Sequence, residues 1–250
     1  MSKPRDTFVI CTTARSGSNL FCDYLRNTRL LGRPGEALNP DIVRGGRFGE
    51  RFPTGAPVSV RKYTEWMLAN HRSRNGIFGI KILFEDFEFY KGFEAFQDLM
   101  ESSFLILLRR RSKVRQAISY YFAEETGQWV HSDPARKQIE DVAFDFNRLE
   151  QHLIRLTRQD AMWQTYLNGL KLPYREVYFE EFVRDPGQEL GEICRSLGFE
   201  PPADMPVTAT LQEQKNPRSA EFTNAFLAGF RAKVYGRTEA VAYKNLTLIP

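Results

Sequence analysis

The sequence predicts an α/β fold, an open and mainly parallel sheet flanked by helices, in one domain over residues 1–250. Three observations carry that prediction. Short apolar runs start at Phe8, Gly76 and Phe104, as strands buried on both faces do. Helical spacing fills the intervals, so strand alternates with helix. Polar, mostly cationic residues stand at or near the carboxyl ends of those runs, where open α/β sheets take their ligands.

The first run, Phe8-Val-Ile-Cys11, breaks at Thr12-Thr13-Ala14 and turns through Arg15-Ser16-Gly17-Ser18. It resumes at helical spacing, with Leu20, Phe21, Tyr24 and Leu25 on one face of a helix over 20–27. A helix start offers unpaired N–H groups and the positive dipole end, so this turn is an anion site. Arg15 adds a permanent cation, and Ser16, Ser18 and Asn19 add neutral donors. The nucleoside triphosphate loop G-x-x-x-x-G-K-[ST] does not fit. No glycine lies five residues before Gly17, and Ser18 stands where that loop has its lysine.

From Leu31 to Asn70 glycine and proline predominate, which predicts mostly loop with a helix over 61–71. Loops of that length inside a compact domain commonly serve as lids or binding loops. Gly76–Leu83 reads as a strand with one internal charge, Lys81, followed by a helix over 92–100. The strand Phe104–Leu108 runs straight into Arg109-Arg110-Arg111-Ser112-Lys113-Val114-Arg115. Ser112 can cap a helix over 112–125. Ser119 lies eight residues after Arg111, a rise of about 10 Å. An arginine lying along the helix flank could therefore share an anion with Ser119. Cations at a helix start oppose its dipole, so this cluster calls for an anionic partner, one with at least two separated anionic groups. Helices over 141–170, 186–197 and 219–235 and a strand over 174–179 complete the pattern.

The chain is 42% hydrophobic and 13% aromatic, enough for one core, and its net charge of +4 is too small and too evenly spread to suggest nucleic acid. No apolar run approaches the length of a membrane span. The polar N-terminus shows no signal peptide. Cys11, Cys22 and Cys194 lack metal or redox spacing and predict buried thiols in a reducing compartment, hence a cytoplasmic protein. Of the histidines, His152 falls mid-helix as a structural residue, while His131, near Trp129 on a loop, is the reserve general base.

Arg15-Ser-Gly-Ser-Asn-Leu, Gly35-Glu36, Gly79-Ile-Lys81, Arg110-Arg-Ser-Lys-Val-Arg-Gln-Ala-Ile-Ser119 and Gln214-Lys-Asn-Pro-Arg-Ser219 together resemble the bacterial trehalose 2-sulfotransferase-like family. Tyr178-Phe-Glu-Glu-Phe-Val-Arg-Asp-Pro186 also resembles a segment of sulfotransferases generally. The resemblance implies a P-loop-NTPase-like sulfotransferase fold. It also implies sulfuryl transfer from 3′-phosphoadenosine 5′-phosphosulfate (PAPS) to a carbohydrate or glycolipid hydroxyl, with no metal. By the same resemblance Arg15, Ser16, Gly17, Ser18 and Asn19 hold the 5′-phosphosulfate. Arg110 or Arg111, with Ser119, holds the 3′-phosphate, and Lys215 and Arg218 belong to the C-terminal donor-binding segment. Glu36 aligns with the general base, and Lys81 is either a cation that neutralises the sulfuryl oxygens or a strand-end charge reaching solvent. Arg111 replaces a proline of some members, and Phe222 stands where tryptophan is frequent. Relatives form dimers, which leaves a homodimer open. The rival readings are a nucleotide-dependent kinase using the first loop and a non-catalytic nucleotide-binding relative.

Overall fold

The computed structural model describes residues 6–39, 59–129, 134–211 and 216–235. Four strands, β1 (Thr7–Thr12), β2 (Phe78–Leu83), β3 (Phe104–Arg109) and β4 (Tyr174–Tyr178), form one sheet in the order β2-β1-β3-β4. Every neighbouring pair is parallel. The inner strand β1 is buried along its whole length, as its apolar sequence requires.

The helices are α1 (Ser18–Asn27), α2 (Val60–Asn70), α3 (Phe84–Tyr90), α4 (Glu94–Ser102), α5 (Lys113–Thr126), α6 (Phe146–Gly169), α7 (Phe179–Phe182), α8 (Pro186–Ser196) and α9 (Ser219–Tyr235). Alternation along each strand sorts its side chains between two cores. On one face, Val9, Cys11, Ile80, Ile82, Leu105 and Leu107 meet Tyr63 and Met67 of α2, Phe84 and Phe87 of α3, Phe96 and Leu99 of α4, and Trp163 and Leu167 of α6. On the other, Phe8, Ile10, Ile106 and Leu108 meet Phe21, Cys22 and Leu25 of α1 and Leu190 and Ile193 of α8. A third cluster joins α5, α6 and α9 through Ile118, Phe122, Leu149, Phe222 and Phe226.

The elements expected from the sequence are present, with three differences. The segment after β2 turns at once into α3, whose dense aromatics (Phe84, Phe87, Phe89, Tyr90) read in sequence as no helix. The long helix starts at Phe146, capped by Asp145 through its hydrogen bond from the Arg148 N–H, and Ile139–Asp141 is a separate short 3₁₀ turn. The fourth strand stops at Tyr178, where α7 begins. The three cysteines are free and buried. Among the described residues no helix is long and apolar enough to cross a membrane.

Candidate active site

The carboxyl ends of β1, β2 and β3 converge on the turn between β1 and α1. Thr12, last in β1, donates through its hydroxyl to the Leu108 carbonyl at 2.8 Å and shares a 2.7 Å hydrogen bond with Ser16. Its own carbonyl accepts from the Trp163 indole at 2.8 Å, so α6 also holds the strand end. Gln116, buried on α5, donates to the Thr13 hydroxyl at 2.8 Å and to the Ala14 carbonyl at 2.7 Å.

The loop backbone is strained and supported in the same place. Arg15 has φ +60, a left-handed conformation that a residue with a Cβ seldom adopts. Its carbonyl accepts from Arg110 at 3.1 Å. Gly17 follows at φ +90 as the N-cap of α1, with the Phe179 ring so close that a Cβ would lie 2.3 Å from it. Gly17 makes no side-chain cap, so the helix start keeps its N–H groups for other partners.

Two cationic centres flank this turn. On one side Arg15 donates through Nε to the Ser119 hydroxyl at 3.0 Å and through Nη1 to the Trp129 carbonyl at 2.5 Å. Desolvation, with the neighbouring charge of Arg110, pushes its pKa down to about 10. Arg15 therefore stays cationic at neutral pH, and a bound anion would offset both effects. The tandem arginines divide. Arg110 turns to the loop, whereas Arg111 is exposed, paired with Glu181 and stacked 3.9 Å from the Tyr178 ring centroid. Arg109 is bound to Asp160 and Glu176.

On the other side is Lys81, only 3% exposed. It projects from β2 on the α1 face, and its ammonium donates to Asn19 Oδ1 at 2.5 Å and reaches the Ser18 hydroxyl at 3.4 Å. The same ammonium pairs with Glu36 Oε1 at 2.7 Å. Glu36 sits on a turn fixed by the Lys81 N–H donating to the Gly35 carbonyl at 2.9 Å and the Tyr63 hydroxyl donating to the Ala37 carbonyl at 2.7 Å. One buried cation therefore touches both the helix-start loop and the carboxylate.

Of the residues singled out from the sequence, Arg15, Ser16, Gly17, Ser18, Asn19, Glu36, Lys81, Arg110 and Ser119 are brought to this end of the sheet. Ser119 contacts Arg15, whereas the spacing alone had pointed to an arginine of the 109–111 run. Arg218 lies in a clamp: its guanidinium donates to the Ile139, Glu140 and Val142 carbonyls and pairs with Glu221. Phe222 is buried against Phe122, with ring centroids 4.6 Å apart. His152 bonds Glu124 at 3.0 Å within the helix layer. Lys215 and His131 lie outside the described residues. The supports supplied by Gln116, Trp163 and Asp160 were not visible in the sequence, because each acts on a residue far away along the chain.

A helix-start loop with flanking arginines, beside a lysine–carboxylate pair at the edge of a parallel sheet, has the donors and the charge that suit an anion. The family model for Stf0 sulphotransferase matches residues 7–229, and the chain belongs to that family. It is 23% identical over 265 residues to the trehalose 2-sulfotransferase of Mycolicibacterium smegmatis, covering 90% of this chain and 96% of that protein. Among solved structures, it is similar to a sulfotransferase from Alicyclobacillus acidocaldarius, with TM-score 0.47, 19% identity and coverage of 94% and 96% of the two chains. It is also similar to the sulfotransferase domain of the Synechococcus PCC 7002 olefin synthase, with TM-score 0.46, 16% identity and coverage of 88% and 84%.

Proposed function

We propose that this sulfotransferase moves a sulfuryl group from PAPS to a hydroxyl of a carbohydrate or glycolipid acceptor. The observation that carries the proposal is the bridging of Lys81 between Ser18–Asn19 and Glu36. A reaction that joins an anionic donor to a hydroxyl needs a cation between the donor's transferred group and the base. The contacts of Lys81 with Ser18, Asn19 and Glu36 support that role for it.

In this reading the N–H groups of the Ser16–Asn19 turn and the guanidinium of Arg15 take the 5′-phosphosulfate. They stabilise the charge that develops on the bridging oxygen as the sulfur–oxygen bond breaks. Arg110, with Ser119, takes the 3′-phosphate, and Lys215 and Arg218 belong to the C-terminal donor-binding segment. Glu36 accepts the proton of the acceptor hydroxyl as its oxygen attacks sulfur, and Lys81 offsets the negative charge of the sulfuryl oxygens. The M. smegmatis relative, by its name, acts on trehalose, which supports a sugar as the class of acceptor here.

Calorimetric titration tests the donor. Adenosine 3′,5′-bisphosphate should bind without a divalent cation, and ATP with Mg²⁺ at least tenfold more weakly. Tighter, Mg²⁺-dependent ATP binding would replace this reading with a kinase.

A further inference from the structure

Helix α1 carries an aspartate that no expectation from the sequence included. Asp23 stands inside the helix, where aspartate is a poor helix former, and is only 7% exposed. A buried carboxylate is costly unless donors match its oxygens. Both oxygens of Asp23 are matched. Oδ2 accepts from two consecutive backbone N–H groups, Thr210 at 2.6 Å and Leu211 at 2.8 Å. Oδ1 accepts from Arg26 Nη2 at 3.2 Å, about one helical turn on.

The two amides belong to the stretch 201–211, which has turns but neither helix nor strand. Met205 ties its first half to the core beside Cys194. Thr208, Thr210 and Leu211 in its second half are exposed, and polar bonds join this half to α1. Beside the Asp23 bonds, Asn27 donates to the Thr208 carbonyl at 3.0 Å. Four residues beyond Leu211 the chain reaches Lys215, and three further on Arg218, of the C-terminal donor-binding segment. In the other direction, Arg26 donates through Nη1 to the Pro34 carbonyl at 2.9 Å. Pro34 precedes Gly35, whose carbonyl accepts from the Lys81 N–H, and Glu36, which pairs with the Lys81 ammonium. One carboxylate is thus joined on one side to the approach to Arg218 and on the other to the approach to Glu36.

We propose that Asp23 is a positioning residue for both halves of the site. It fixes the stretch that leads into the C-terminal donor-binding segment and, through Arg26, the turn that carries Glu36. It acts on neither the donor nor the acceptor directly. Its bonds to the two adjacent amides are charge-assisted, which makes them strong ties for an otherwise exposed stretch. In the proposed reading, the same helix presents its first turn to the phosphosulfate. The nucleotide segment and the base are then both placed from that one helix. Loss of Asp23 loosens both, whereas loss of one of its partners loosens only one.

The inference rests on the donor reading, and two measurements keep their failures apart. Amide exchange followed by NMR in the donor-free protein reads the ties themselves. Asp23→Ala should speed exchange at Thr210 and Leu211 at least about tenfold. Calorimetry with adenosine 3′,5′-bisphosphate reads the consequence. Asp23→Ala should weaken binding at least about tenfold, and Asp23→Asn, which keeps an acceptor oxygen for the amides, should recover most of that loss. Leu211→Pro removes one amide donor and leaves α1 intact, so it should weaken binding about threefold or more even where Asp23→Ala fails to fold. Arg26→Met should keep binding within about twofold of the wild type. It should shift the Gly35 and Glu36 amide signals, which Leu211→Pro should leave in place. Unchanged exchange at Thr210 and Leu211 in Asp23→Ala overturns the tie. Wild-type affinity in both Asp23→Ala and Leu211→Pro overturns the positioning role while the donor reading stands. A wild type that does not bind adenosine 3′,5′-bisphosphate overturns the donor reading and the positioning role with it.

Discussion

Arg110 and Arg111 are adjacent in sequence and opposite in situation. The first is partly buried, donates to the Arg15 carbonyl and lies 3.6 Å from Glu180, and the second is exposed and spent on Glu181 and the Tyr178 ring. A charge-assisted hydrogen bond contributes about 1.5–3 kcal/mol, so Arg110→Ala should weaken adenosine 3′,5′-bisphosphate roughly 10–100-fold by calorimetry. Arg111→Ala should change it by less than about threefold, as expected of an exposed ion pair. Gly17 carries a different kind of constraint. Its φ is left-handed, and a Cβ there would lie only 2.3 Å from the Phe179 ring, which leaves no room for a side chain. Gly17→Ala should cost about 3 kcal/mol in urea denaturation, from overpacking together with the backbone penalty.

The strand ends are held by elements distant in sequence, and α6 is the main one. Trp163 bonds the last carbonyl of β1, and Asp160, three residues earlier on the same helix, pairs with both Arg109 and Lys113 at the β3–α5 junction. Asp160→Ala leaves two largely buried cations short of their counter-charge. It should lower the unfolding free energy by about 3 kcal/mol, seen as a shift in the denaturation midpoint at unchanged slope. Such supports explain what the sequence conveyed and what it withheld. The β1 run, the α1 periodicity and the Ser112 cap were legible because strand alternation, helical spacing and capping are local. The α3 turn was not, since seven residues with four aromatic rings carry no clear period.

The sheet order β2-β1-β3-β4 gathers these parts. With β1 between β2 and β3, the turn after β1 receives Lys81 from one neighbour and Arg110 from the other. That one topological fact explains why the family motifs are scattered from Arg15 to Ser119 in sequence yet meet at one edge. The composition pointed only to one globular core, and the acceptor stayed illegible, because residues that choose among hydroxyls need no particular spacing. Whether the Lys81–Glu36 pair beside the helix-start loop performs sulfuryl transfer is decided by following ³⁵S-labelled sulfuryl from PAPS into a panel of sugars and glycolipids that includes trehalose. The wild type and Glu36→Gln are compared side by side. A labelled product should form, and its formation should fall at least about 10²-fold in Glu36→Gln while adenosine 3′,5′-bisphosphate binding is kept. Near-normal turnover in Glu36→Gln, or bound donor with no labelled product from any acceptor in the panel, would contradict that role for the pair.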